Sequence, residues 1–227
     1  MSVRRALIPL ALALVLARCS DERHPTTGPQ TTAPAPHFLR WADAVTPQFS
    51  AVGAVATTES DGGLQASLSG GISLDRYTAS FWAVRGAARS VQINYLSSTG
   101  DTSFPFLTLT ITDPVFVPGQ GDLAPGDSVL VSVTIDPSDI KVSLEPTGTL
   151  FGAPAQLRMS YGGAGGDLNG NGIAGDESDR EIETRLLGLW YREGEESAWA
   201  KIPASQSLAD KSFISALLHF SEYAVSW

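Results

Sequence analysis

The chain has 227 residues, of which 43% are hydrophobic and 17% are charged, so it is long and apolar enough to bury a core. Its formal net charge of -9 at pH 7 argues against a basic surface that binds nucleic acid. Cys19 is the single cysteine, which excludes an internal disulfide framework and a cysteine metal site.

Residues 1–19 have the layout of a signal peptide. Two arginines precede an apolar run over 6–17 that is too short to span a bilayer. The run ends in Leu-Ala-Arg-Cys, which resembles the lipobox of bacterial lipoproteins and implies that Cys19 carries a lipid. Arg18 stands where a lipobox has a small residue, so an uncleaved or differently cleaved signal remains the alternative. We expect an exported lipoprotein of a bacterial cell envelope, anchored by its lipid in the outer membrane.

Residues 20–63 are predicted to be a flexible spacer. The first part of this stretch is rich in proline and threonine and shows no apolar periodicity. Within the spacer, residues 38–45 predict a short helical turn that docks Trp41 onto the folded domain. His37 lies beside this turn and is expected to be solvated.

Residues 64–227 predict an all-β fold, an antiparallel β-sandwich of about ten strands. Apolar and polar residues alternate with period two in most segments, most clearly over 129–135, and helical periodicity is nearly absent. Segments 77–83 and 91–95 predict a half-buried hairpin. Further strands are predicted at 106–112, 140–144, 155–161, 187–191, 198–202, 213–220 and 223–227.

The part of the sandwich over 150–227 resembles the ZU-type (ZU-five) β-sandwich domain of netrin receptors, ankyrins and death-domain scaffolds, which has related modules in bacterial surface proteins. The resemblance is carried by Leu150-Phe151, Pro154-Ala155-Gln156-Leu157, Trp190-Tyr191, Trp199-Ala200-Lys201-Ile202-Pro203 and His219-Phe220-Ser221-Glu222-Tyr223. It implies a binding or scaffolding module without a cofactor. A glycine-rich insertion after Tyr161 departs from the family pattern.

His219-Phe220-Ser221 matches the motif at which some ZU-type domains cut their own chain. The resemblance implies that the Ser221 hydroxyl attacks the Phe220 carbonyl with His219 as the base. The peptide bond would break as an ester forms between Phe220 and the Ser221 oxygen, and water would then hydrolyse this ester, which cleaves the chain between Phe220 and Ser221. The alternative is a buried strand in which these residues only pack and form hydrogen bonds.

The segment from Asp167 to Gly172 resembles the start of a calcium loop, with oxygen ligands at alternate positions and glycine at the sixth. Ser178 occupies the twelfth position, where an acid would normally complete the site. The alternative is a flexible polar connection between strands. The candidate calcium ligands are Asp167, Asn169, Asn171, the carbonyl of Ile173, Asp176, Glu177 and Asp179.

Other chemistry is poorly supported. The glycines over 170–175 spell G-x-G-x-x-G, but acidic residues follow where a phosphate-binding helix would begin. The chain has three histidines and neither an H-E-x-x-H nor a G-x-S-x-G motif. We therefore expect a non-enzymatic module that binds an unidentified protein or glycan. A self-processing domain and a calcium-dependent surface adhesin are the alternatives.

Overall fold

The computed structural model describes residues 36–42, 48–55, 74–75, 77–96 and 103–227. The predicted signal peptide over 1–19, including Cys19, lies outside the described residues. No helix among the described residues is both long enough and apolar enough to cross a bilayer.

The described residues form many short strands and very little helix. The strands are β1 (Gln48–Val55), β2 (Leu74–Asp75), β3 (Thr78–Val84), β4 (Arg89–Leu96), β5 (Ser103–Ile111), β6 (Asp113–Val117), β7 (Gly121–Asp122), β8 (Ser128–Ile135), β9 (Lys141–Glu145), β10 (Leu150–Ser160), β11 (Gly188–Arg192), β12 (Ala200–Lys201), β13 (Ser205–Ser207), β14 (Ser212–His219) and β15 (Glu222–Ser226). The helical elements are a 3-10 turn (Gly162–Ala164), helix α1 (Glu177–Glu181) and a π-helical turn (Ile182–Leu186).

These strands make two antiparallel sheets, which confirms the predicted sandwich. The first sheet has the order β1-β4-β5-β10-β14-β13, and β6 joins it by pairing with β10 and β7. The second sheet has the order β12-β11-β15-β9-β8-β3-β2. Strands that are far apart in sequence are therefore neighbours, which makes most pairings long-range.

The core lies between the sheets and follows from the period-two alternation of the strands. In β8, Val131 and Val133 are fully buried, whereas Leu130 on the opposite side of the strand remains 46% exposed. In β5, Leu107 and Leu109 are also fully buried. The predicted apolar face of β8 is therefore the face that packs inward.

The hairpin predicted from segments 77–83 and 91–95 is wrong. Strand β3 pairs with β8 in the second sheet, whereas β4 pairs with β1 and β5 in the first sheet. The chain crosses between the sheets around Gly86, which has a φ of 85° and donates its N–H to the carbonyl of Thr112. The alternation in β3 and β4 fits two strands that face each other across a core as well as it fits a hairpin.

The helical turn predicted over 38–45 is also wrong for the residues that the structure describes. Residues Phe38 and Arg40 make isolated antiparallel bridges to Ser226 and Asp139, so this segment is extended. The predicted docking of Trp41 is confirmed, because its side chain is only 7% exposed.

The spacer predicted over 20–63 contains two segments that belong to the sandwich. Residues 36–42 pair with the ends of β9 and β15, and β1 pairs with β4 along its whole length. The boundary predicted at Leu64 therefore lies too far along the chain. The remaining spacer residues lie outside the described ranges.

Trp41 joins the upstream segment to the core. Its ring lies 4.9 Å from that of Phe106 and 5.2 Å from that of Phe49, measured between centroids. It also stacks on Tyr95 at 5.4 Å with an interplanar angle of 3°, and its indole N–H donates to the carbonyl of Asp136 at 3.0 Å.

We expect Trp41→Ala to lower the free energy of unfolding by about 3–5 kcal/mol, because it removes a large buried side chain and leaves a cavity. Urea denaturation measures this loss. Trp82→Ala is the matched control, since Trp82 is 59% exposed and its removal leaves no cavity. Equal losses for the two variants would contradict the placement of Trp41 in the core.

Candidate binding site: an acidic loop and an adjoining cleft

A loop over residues 165–176, rich in glycine and called the acidic loop below, connects the 3-10 turn after β10 to α1. Within it, Gly170, Gly172 and Gly175 have φ values of 72°, 85° and 73°. A side chain disfavours this left-handed conformation, so glycine is needed at these turns. The glycines allow the loop to fold back on itself and to bring its polar residues together.

Asp179 holds the loop closed from α1. It is only 2% exposed. One carboxylate oxygen accepts the N–H of Leu168 at 2.8 Å and that of Asn169 at 3.3 Å. The other accepts the N–H of Gly175 at 2.8 Å and that of Asp176 at 3.2 Å. Both oxygens are thus already occupied by backbone amides, so Asp179 has a clear structural role.

Asp176 begins helix α1 and forms a capping box with Asp179. Its carboxylate accepts the N–H of Asp179 at 2.8 Å and the side-chain amide of Asn171 at 2.9 Å. The N–H of Asp179 and then the Asn171 amide lower the pKa of Asp176 below its ordinary value, because both stabilise the charged carboxylate. Asp176 therefore ties the loop to the start of the helix.

The side-chain oxygens of Asp167 and Asn169 lie close together and accept backbone N–H groups of the same turn. The backbone N–H of Asn171 donates to Asp167 Oδ1 at 3.1 Å and to Asn169 Oδ1 at 2.9 Å. The N–H of Gly172 donates to Asp167 Oδ2 at 2.8 Å. The chain thus turns sharply at Gly172, and these side-chain oxygens lie around one short turn.

The other candidate calcium ligands lie around the same loop. Asn171 Oδ1 accepts the N–H of Ile173 at 2.8 Å. Glu177 is exposed in the first turn of α1. Across the described part of the chain, no three His, Cys, Asp or Glu residues group closely enough to hold a metal ion. Calcium binding by this loop remains a prediction.

We expect calcium at ten times its dissociation constant to stabilise the protein by about 1.4 kcal/mol, seen as a rise of a few degrees in melting temperature. Because the twelfth-position acid is missing, the dissociation constant should be about 10⁻⁴ to 10⁻³ M. Asp167→Asn should abolish the rise, and Asp122→Ala on exposed β7 is the control. No rise in the wild type at about 10 mM calcium would contradict a site of this affinity.

A cleft of about 460 Å³ adjoins the loop. The segment over 36–40, Asp139, the turn over 167–170 and Trp227 line it. The indole N–H of Trp227 donates to the carbonyl of Leu168 at 3.3 Å, which fixes the loop beside the end of β15.

Aromatic and charged groups share the lining of this cleft. His37 is exposed and stacks on Trp227 with 4.5 Å between ring centroids and an interplanar angle of 13°. Arg40 and Asp139 are joined by a backbone bridge. Partial burial, and then the neighbouring Asp136 carboxylate, raise the pKa of Asp139 above its ordinary value, since both disfavour its charged form.

His219, Phe220 and Ser221 lie at and just after the end of β14, with their polar groups in separate contacts. Ser221 is 1% exposed, and its hydroxyl donates to the carbonyl of Arg192 at 2.6 Å. His219 Nδ1 lies 3.3 Å from the Phe220 carbonyl oxygen, and no hydrogen bond joins His219 to Ser221 among the described residues. The structure therefore does not bring the predicted base onto the predicted nucleophile.

The surroundings of the triplet are those of a packed strand end. The carbonyl of Phe220 accepts the N–H of Gly148 at 2.9 Å. The hydroxyl of Tyr223 donates to the carbonyl of His219 at 2.8 Å, and burial raises the pKa of Tyr223 because it disfavours the phenolate. These contacts match the packing alternative for the triplet.

We expect purified protein to show no cleavage product running from Ser221 to Trp227 in an intact-mass measurement. The mass of Ser221→Ala should differ from that of the wild type only by the substitution. Its free energy of unfolding should be lower by about 1 kcal/mol, because the substitution removes a buried hydrogen bond. Ser138→Ala, at an exposed position, is the control. A fragment present in the wild type and absent from Ser221→Ala would establish self-cleavage instead.

No protein-family model, no curated protein and no solved structure matches this chain. The likeness to the ZU-type domain thus remains an expectation from its motif residues.

Sequence reasoning missed most of the cleft. The sequence predicts a solvated His37, which is exposed as expected, and a helical turn that contains Arg40. Both residues line the cleft with Asp139 and Trp227. The alternation of Leu39 and Trp41 inward with Phe38 and Arg40 outward was a signal for an extended segment. Nothing in the local sequence indicated that this segment meets the last strand.

Proposed function

We propose that this chain is a non-enzymatic binding module of a bacterial cell envelope. In this proposal it is exported, Cys19 is lipidated, and the lipid anchors the β-sandwich in the outer membrane. The sandwich presents a binding cleft to a protein or glycan ligand and needs no cofactor for this.

The observation that carries the binding role is the cleft of about 460 Å³ beside the acidic loop. Its volume falls in the range of sites for small ligands, and such sites combine apolar and aromatic surface with a few convergent polar groups. The cleft offers the aromatic pair His37 and Trp227 together with the polar residues Arg40, Asp139 and Asn169.

Export and anchoring are supported by the sequence. The solitary cysteine directly follows a short apolar run, as in a lipoprotein precursor. Residues 20–35 then separate Cys19 from Pro36, the first residue that the structure describes.

A calcium-dependent adhesin is a second candidate function. It is supported by the Asp167 and Asn169 oxygens, which both accept the N–H of Asn171 and therefore lie close together in one turn. The self-processing alternative has weaker support, because the Ser221 hydroxyl is committed to the carbonyl of Arg192.

We expect metabolic labelling of bacteria with a clickable palmitate analogue to mark the wild-type chain and not Cys19→Ala. Cys19 is the only cysteine, so no other thiol can take the label. The labelled chain should also fractionate with membranes. Equal labelling of the two chains, or labelling of neither, would contradict the anchor.

A further inference from the structure

The cleft beside the acidic loop has a mixed chemistry that restricts its ligand. Arg40 contributes a guanidinium, Asp139 and Asp167 contribute carboxylates, and Asn169 contributes an amide. Arg40 is exposed and Asp139 is half-buried. Within the described residues, neither the Arg40 guanidinium nor the Asp139 carboxylate forms a side-chain hydrogen bond or ion pair at close range.

These groups make opposite demands on a ligand. A carboxylate only accepts hydrogen bonds and a guanidinium only donates them, whereas an amide does both. A ligand that satisfies all of them must therefore donate and accept at neighbouring atoms. A hydroxyl group does both, and a ligand with several adjacent hydroxyls meets the whole set.

Charge argues against an ionic ligand. An anionic ligand would lie close to the carboxylates of Asp139 and Asp167, and a cationic ligand would lie close to the Arg40 guanidinium. Burial and the nearby Asp136 carboxylate raise the pKa of Asp139 more than Lys141 and Arg40 lower it, so a further negative charge beside Asp139 would be unfavourable. A neutral ligand avoids both penalties.

The aromatic pair supplies the apolar part of the site. His37 and Trp227 stack at 4.5 Å, and Trp227 is held in place by its hydrogen bond to the Leu168 carbonyl. Aromatic rings with polar edges suit ligands that are apolar on one side and polar on the other. A sugar ring has this character, since its C–H face is apolar and its rim carries hydroxyls.

We propose that this cleft binds a neutral saccharide, with the sugar rings against His37 and Trp227 and the hydroxyls bonded to Arg40, Asp139 and Asn169. The inference rests on the binding role proposed above and specifies the ligand class. It does not require the lipid on Cys19 or calcium in the loop.

Affinity gel electrophoresis tests the proposal on the detergent-extracted Cys19→Ala chain. The gels contain one neutral polysaccharide each, namely soluble starch, laminarin, arabinoxylan or galactomannan, and a parallel gel contains acidic polygalacturonate. We expect at least one neutral polysaccharide to retard the protein and polygalacturonate not to. Arg40→Ala and Asp139→Asn should each raise the dissociation constant measured from the retardation about tenfold. This is the usual effect of losing a hydrogen bond to a charged group.

Two control variants separate the cleft from the rest of the surface. Trp82→Ala removes an exposed tryptophan and Arg185→Ala removes an exposed arginine, both outside the cleft lining. These controls should be retarded like the parent chain, and melting curves should show that all variants are folded. Retardation in none of the neutral gels, retardation only by polygalacturonate, or equal retardation of the cleft variants and the parent would overturn the proposal.

The test is independent of the envelope proposal. Retardation that depends on Arg40 and Asp139 would support the saccharide site even if Cys19 took no label. Labelling of Cys19 without retardation would leave the envelope proposal standing and remove the saccharide site.

Discussion

The pairing of residues 36–42 with the last strand is the constraint on which the site depends. The backbone groups of His37 and Trp227 bond to each other at 2.8 and 3.2 Å, and Leu39 donates its N–H to the carbonyl of Val225 at 3.1 Å. The carbonyl of Leu39 in turn accepts the N–H of Ile140 at 2.7 Å. A buried backbone segment must satisfy its polar groups, and here it does so through the two strands that it joins. This pairing places Arg40 beside Asp139 and His37 over Trp227.

The acidic loop is held to the same end of the sandwich by different means. Its closure depends on one buried carboxylate, Asp179, which gathers four backbone N–H groups from two stretches of the loop. A buried charge is stable only when it is hydrogen-bonded in this way. Each Asp179 oxygen already accepts two N–H groups, whereas each Asp167 oxygen accepts one. A ligand or an ion would therefore contact the side of the turn that carries Asp167. Asp167 and Asn169 serve both possibilities, since they belong to the calcium pattern and to the lining of the cleft.

The end of β14 shows why a short motif does not define a reaction. His219, Phe220 and Ser221 stand in the order that self-cleavage requires, but the direction of each side chain is set by packing. The Ser221 hydroxyl donates to the carbonyl of Arg192, and the Tyr223 hydroxyl donates to the carbonyl of His219. Among the described non-glycine residues only Lys211 has a positive φ, and it lies outside the triplet.

Period-two alternation such as that of β8 is enough to predict the all-β class and the buried face of most strands, because alternate side chains of a half-buried strand lie on opposite sides of the sheet. The turn at Gly172 is also predictable, since local glycine and oxygen spacing governs that turn. Which sheet each strand joins depends on tertiary contacts, so β3 and β4 lie in different sheets although their alternation also fits a hairpin. The cleft could not be predicted from the sequence either, because its lining includes residues from 36–40 together with Asp139 and Trp227, which are far apart along the chain. Contacts over such separations depend on the free energy of the whole core, so no pattern within a short stretch of sequence indicates them.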